Sequence, residues 1–160
     1  METTQRFSKA QCFDVLGHIE FVVAKGARVT DTQACEFVRE IDKRHPWVSY
    51  TETGELAPSI DFMQAISWKD GRCTVQIRPS DKLKPERLYA YNRYLDNLAK
   101  RLAAMDIPGV YAIKFDISFT GEGETHLTSE GQRRVEEMKR HPLTRALETL
   151  FRNFANRPKD

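Results

Sequence analysis

Val110-Tyr111-Ala112-Ile113-Lys114-Phe115-Asp116-Ile117-Ser118-Phe119 is the stretch on which the fold turns. Tyr111, Ile113, Phe115, Ile117 and Phe119 alternate with Ala112, Lys114, Asp116 and Ser118, the period of a strand with one apolar and one polar side. Such a strand fits a sheet covered on one face only. The apolar side is therefore expected to meet helices, and the polar side to form a surface.

Working outward, Ile107-Pro108-Gly109 turns the chain into this strand, and Pro85 opens the helix before it. Along that helix Leu88, Tyr91, Leu95, Leu98, Leu102 and Met105 recur at three and four residues, which predicts one buried stripe packed on the sheet. Upstream lies a hairpin. Residues 59 to 68 pass through Lys69-Asp70-Gly71 into Arg72-Cys73-Thr74-Val75-Gln76-Ile77-Arg78, and Asp-Gly between extended runs favours a tight turn. Cys73, Val75 and Ile77 are expected inside, with Arg72, Thr74, Gln76 and Arg78 outside. Trp47 to Thr51 reads as a short strand and Glu52-Thr53-Gly54-Glu55 as a turn.

At the N-terminal end Cys12, Val15, Leu16, Ile19, Val22 and Val23 fall at helical spacing, predicting a helix over 8 to 25 that ends at Gly26 and carries His18. A second helix follows Thr30, which forms a capping box with Gln33, and buries Ala34, Phe37, Val38 and Ile41. Lys43-Arg44-His45-Pro46 ends it, and Lys139-Arg140-His141-Pro142 repeats the signal after a helix begun at Ser129. Cations in a last turn suit the helix dipole and proline blocks continuation, so both copies read as helix stops. A last helix from Pro142 places Leu143, Ala146, Leu147, Leu150, Phe151 and Phe154 inward. The expected order is α-α-β-β-β-α-β-α-α. This is an α+β class fold, a small antiparallel sheet of three to four strands with helices on one face, in a single domain over 1 to 160.

The chain has 160 residues, 40% hydrophobic and 30% charged, which suits one globular domain with a core of its own. No apolar run is long enough to cross a membrane, and the first residues lack the layout of a signal peptide, so a cytoplasmic location without membrane partners is expected. Cys12, Cys35 and Cys73 are odd in number and widely spaced, and read as thiols. The net charge is +2, but residues 131 to 160 carry 8 Lys/Arg against 4 Asp/Glu. That basic end permits an acidic partner or nucleic acid.

If the alternating strand and the hairpin share a sheet, the polar face gathers Arg72, Thr74, Gln76, Arg78, Lys114, Asp116 and Ser118, with Asp61 near them. Cations neutralise phosphates while hydroxyls and amides reach sugar and base edges, so this face suits nucleic acid. The strand's aromatic residues all fall on its apolar side, so no stacking platform is expected. Arg145 and Arg152 on the last helix offer a second basic surface, for nucleic acid or a protein partner. Asp116, Glu122, Glu124 and His126 are the candidate metal ligands, since carboxylates and imidazole at a strand end are the groups of metal-assisted phosphoryl chemistry. Under that reading Asp116 is the catalytic residue and Mg or Mn the cofactor. Otherwise no cofactor is expected. No Gly-x-Ser-x-Gly or His-Glu-x-x-His occurs.

The stretch from Tyr111 to Phe154 resembles part of the replication proteins of filamentous phages and related prophage elements. The likeness rests on the alternating strand with Asp116, the Arg- and Glu-rich helix after it, and Lys139-Arg140-His141-Pro142-Leu143 before another apolar element. The following strand and paired histidines that such initiators use have no counterpart here. The resemblance implies association with a mobile element's DNA without that chemistry. The leading expectation is a non-catalytic binding module for nucleic acid or a protein partner; the alternatives are a metal-dependent nuclease or nucleotidyl-transfer enzyme using Asp116, and an inhibitor or adaptor.

Overall fold

A computed structural model describes residues 12–117 and 123–140. Their elements are β1 (Gly17–Val23), α1 (Asp31–Arg44), β2 (Val48–Tyr50), β3 (Leu56–Pro58), β4 (Ile60–Ser67), β5 (Cys73–Pro79), α2 (Pro85–Ala104), β6 (Val110–Ile117), β7 (Gly123–Leu127) and α3 (Ser129–Arg140). Five strands form one antiparallel sheet in the order β4-β5-β1-β6-β7, and β2 and β3 pair as a separate ribbon. The class is α+β, with more strands than the sequence implied.

The largest correction is at the N-terminal end, where the expected helix over 8 to 25 is replaced by β1 at the centre of the sheet. Both periods fit its apolar residues, but Ile19 and Phe21 are fully buried while His18 and Glu20, alternating with them, are not. A segment of β-branched and aromatic residues gains backbone partners on both sides by joining a sheet, and β1 pairs with β5 and with β6. Gly17 begins the strand where α2 crosses closest: a Cβ there would press on the Leu95 methyls and the Tyr91 hydroxyl. The second correction is β7. The candidate ligands Glu124 and His126, read from the sequence as lying at the end of the alternating strand, stand on an edge strand of their own from Gly123, and charged side chains are what keep such an edge from pairing further.

Elsewhere sequence and structure agree on the main elements. Thr30 and Gln33 form the reciprocal capping box of α1, and His45 is its C-cap. Gly71, at φ +88°, makes the β4–β5 turn. Pro85 opens α2, whose Tyr91, Leu95, Leu98 and Leu102 are buried; Met105 departs from the stripe, being the C-cap and 43% exposed. α1 lies over β4 and β5 and packs on α2, which lies over β6 and β7. Between helices and sheet sit Ile19, Phe21, Val75, Ile77, Ile113, Phe115 and Ile117, each large apolar side chain worth about 1.5–3 kcal/mol on burial. The last helix expected from Pro142 lies outside the described residues. No helix among them is long and apolar enough to cross a membrane.

Candidate functional site

The face of the sheet away from α1 and α2 is assembled row by row from the strand register. One row runs Gln64, Gln76, His18, Asp116, and the next Ile66, Thr74, Glu20, Lys114, Thr125. Arg78 stands beside Phe62 at the other end of the β4–β5 pair. Cross-strand neighbours share a face, so Thr74, Gln76, Arg78, Lys114 and Asp116 do lie on one surface, joined at the loop end by Arg72. They are not contiguous. β1 runs between β5 and β6, and sets His18 and Glu20 in the middle.

Those two residues change the electrostatics. His18 Nδ1 lies 2.8 Å from Asp116 Oδ1, so the Asp116 carboxylate is engaged and the imidazole oriented. Glu20 lies 3.6 Å from Arg72 Nη1, while Arg72 Nε donates to Asp70 at 2.7 Å. The Arg72 backbone N–H, with the guanidinium beside it, holds the exposed Asp70 carboxyl below its ordinary value. Arg72 is thus neutralised locally. Among the described residues Arg78 and Lys114 form no ion pair, and the buried Nε of Arg78 has no acceptor. His18, Glu20, Thr74, Lys114, Asp116 and Thr125 border a cavity of about 300 Å³.

The aromatic surfaces that the sequence reading missed come from β4 and its turn. Trp68 is 48% exposed, donates its Nε1–H to Thr74 Oγ1 at 3.1 Å, and carries the Arg72 guanidinium 5.5 Å from its ring. Arg78 stands 5.2 Å from the Phe62 ring. The signal was available: Phe62, Gln64 and Ile66 alternate with Met63, Ala65 and Ser67, and phasing β4 against β5 puts Phe62 on the polar face. His18 and Glu20 were hidden by the helical reading of their segment.

Of the four candidate metal ligands, the three that are described do not all converge. Asp116 is on the open face, whereas Glu124 and His126 face the helices, as the cross-strand partners of Phe115 and Ile113 do. There they meet Asp96 of α2, which the sequence did not single out; one ligand atom from each of the three lies within 4.8 Å of the others. His126 Nε2 is 2.7 Å from Asp96 Oδ1 and its ring stacks on Phe115, which ties β7 to the helix layer. Glu122, Ser118, Arg145 and Arg152 lie outside the described residues. Asp61 is exposed on β4, at the register shift between Ile60 and Phe62, and has no cross-strand partner there. Cys73 is fully buried, and burial pushes its thiol up, away from a reactive thiolate.

Comparison of the chain with protein-family models, curated proteins and solved structures finds no match.

Proposed function

We propose that the chain is a binding module for single-stranded nucleic acid, held on the β4–β5 half of the open sheet face. The observation that carries this reading is the pairing of each aromatic ring there with an arginine, Trp68 with Arg72 and Phe62 with Arg78. Bases stack on aromatic and guanidinium planes, and the Arg78 guanidinium, which has no ion pair among the described residues, reaches phosphate as well. Thr74, Gln76 and Gln64 lie between the two pairs, where hydroxyl and amide groups meet sugar and base edges. Glu20 and Asp116 repel phosphate at the centre of the sheet, so the strand follows the β4–β5 side, and Lys114 meets it only where it crosses. The resemblance to phage replication proteins makes single-stranded DNA of a mobile element the first substrate to try.

Fluorescence anisotropy with a labelled oligothymidylate tests the reading. Saturable binding is expected, weakened in Trp68→Ala by the loss of one stacking contact, about 1–3 kcal/mol. No binding, or equal binding by that variant, overturns it.

A second reading, metal-dependent cleavage of a phosphodiester, is favoured by the convergence of Asp96, Glu124 and His126. Carboxylates and imidazole suit a divalent ion such as Mn or Zn. In that case manganese-dependent cleavage of single-stranded DNA is lost in His126→Ala; cleavage that survives the substitution excludes those ligands, and the same assay on Asp116→Ala tests Asp116.

A further inference from the structure

On the other side of the molecule the end of α1, the start of β2 and the outer face of α2 enclose a cleft of about 400 Å³, a size typical of small-molecule sites. Its lining includes His45, Arg87, Arg93 and Arg101 and, among the described residues, no aspartate or glutamate. Among the described residues none of these four side chains has a carboxylate partner. Arg93, Asn97 and Arg101 fall four residues apart along α2, so they line one helix face. Arg93 and Arg101 are separated by about 12 Å of helix. Arg87 is already fixed: its guanidinium lies 4.1 Å from the Trp47 ring and donates to the Val48 carbonyl.

The rest of the wall is apolar and aromatic. Trp47 is 4% exposed, and among the described residues its buried Nε1–H has no acceptor, which is costly unless something else supplies one. Tyr94 stacks on Tyr91 and is held by its hydrogen bond to Asp42, which also accepts from the Trp47 backbone N–H. Asp42 is therefore engaged from two directions. A rigid aromatic wall beside several cations without counter-ions matches a ligand with a flat organic body and a multiply charged head. One carboxylate would leave most of this charge unmatched. A phosphate group brings up to two charges and several acceptor oxygens, in the geometry that guanidinium forks accept.

We propose that this cleft binds a small phosphorylated organic anion of nucleotide size, with its phosphates between Arg93 and Arg101 and its organic body along Tyr94. The site is independent of the nucleic-acid face, and its test keeps the two apart. Isothermal titration calorimetry with ADP, adenosine and inorganic phosphate is expected to show ADP binding more tightly than either fragment. Arg93→Ala/Arg101→Ala replaces two exposed side chains and is expected to weaken ADP about a hundredfold, roughly tenfold for each lost charge-assisted contact. Arg78→Ala/Lys114→Ala, which strips the sheet face, is expected to bind ADP as the unaltered chain does. Absence of ADP binding at about 10 mM, equal binding of adenosine, or loss confined to the sheet-face variant overturns the proposal.

Discussion

On the helix side of the sheet Ile19, Phe21, Val75, Ile77 and Ile113 are fully buried, while one residue along the same strands His18, Glu20, Thr74, Gln76 and Lys114 are half-buried or exposed. The difference teaches where this chain's freedom lies. The covered side is fixed by packing, and a lost methylene there is felt throughout. On the open side the ion pairs are partly solvated, and such pairs contribute little to stability. Its charges are thus arranged at small structural cost, which is what a binding surface requires.

The comparison breaks first if a core change is tolerated. Phe21→Ala removes a ring that packs on Phe37, and is expected to lower stability by about 3–5 kcal/mol in urea unfolding. A loss near that of an open-face variant would mean that the sheet is not covered as described. Next comes alkali. Burial first, and then Asp42, hold the Tyr91 and Tyr94 hydroxyls well above the usual tyrosine range. Unfolded tyrosines lose their protons near a pH of about 10 while the native ones keep theirs. The native state then binds more protons, and stability falls as pH rises past that value. Tyr94→Phe is expected to reduce this fall, and urea midpoints at about pH 9 and about pH 11 measure it. A pH-independent midpoint would contradict the burial of this pair.

On the open face the order of effects reverses, with binding changing more than stability. Trp68→Ala is expected to weaken single-strand binding by the 1–3 kcal/mol or so of a stacked base and to leave the unfolding midpoint nearly unmoved. The smallest effect is on the His18–Asp116 pair, whose side chains are 25% and 49% exposed. His18→Ala is expected to cost about 1 kcal/mol or less; a larger loss would make the pair structural.

The sequence showed the alternation of β6, the turn at Gly71, the stripe of α2 and the capping box at Thr30, because each is local. It misled at β1, where Ile19, Val22 and Val23 satisfy helical spacing as well as a strand, and only two flanking partners decide between them. It also missed β7, since polar edge strands carry little hydrophobic signal. The open face was legible in part: Arg72, Thr74, Gln76, Arg78, Lys114 and Asp116 follow from alternation. The presence of Glu20 and His18 among them depends on strand order, which alternation does not encode. Asp96 came from a helix face read only for its apolar stripe.

The central claim is that Arg78 and Lys114 provide the unneutralised charge of a single-strand binding face. Measuring oligothymidylate affinity against salt for the unaltered chain and for Arg78→Ala/Lys114→Ala tests it most directly. Each phosphate contact contributes about 0.7 to the logarithmic slope on single strands, so the double variant is expected to lose about 1.4. An affinity that ignores salt, or identical slopes for the two proteins, would contradict the account.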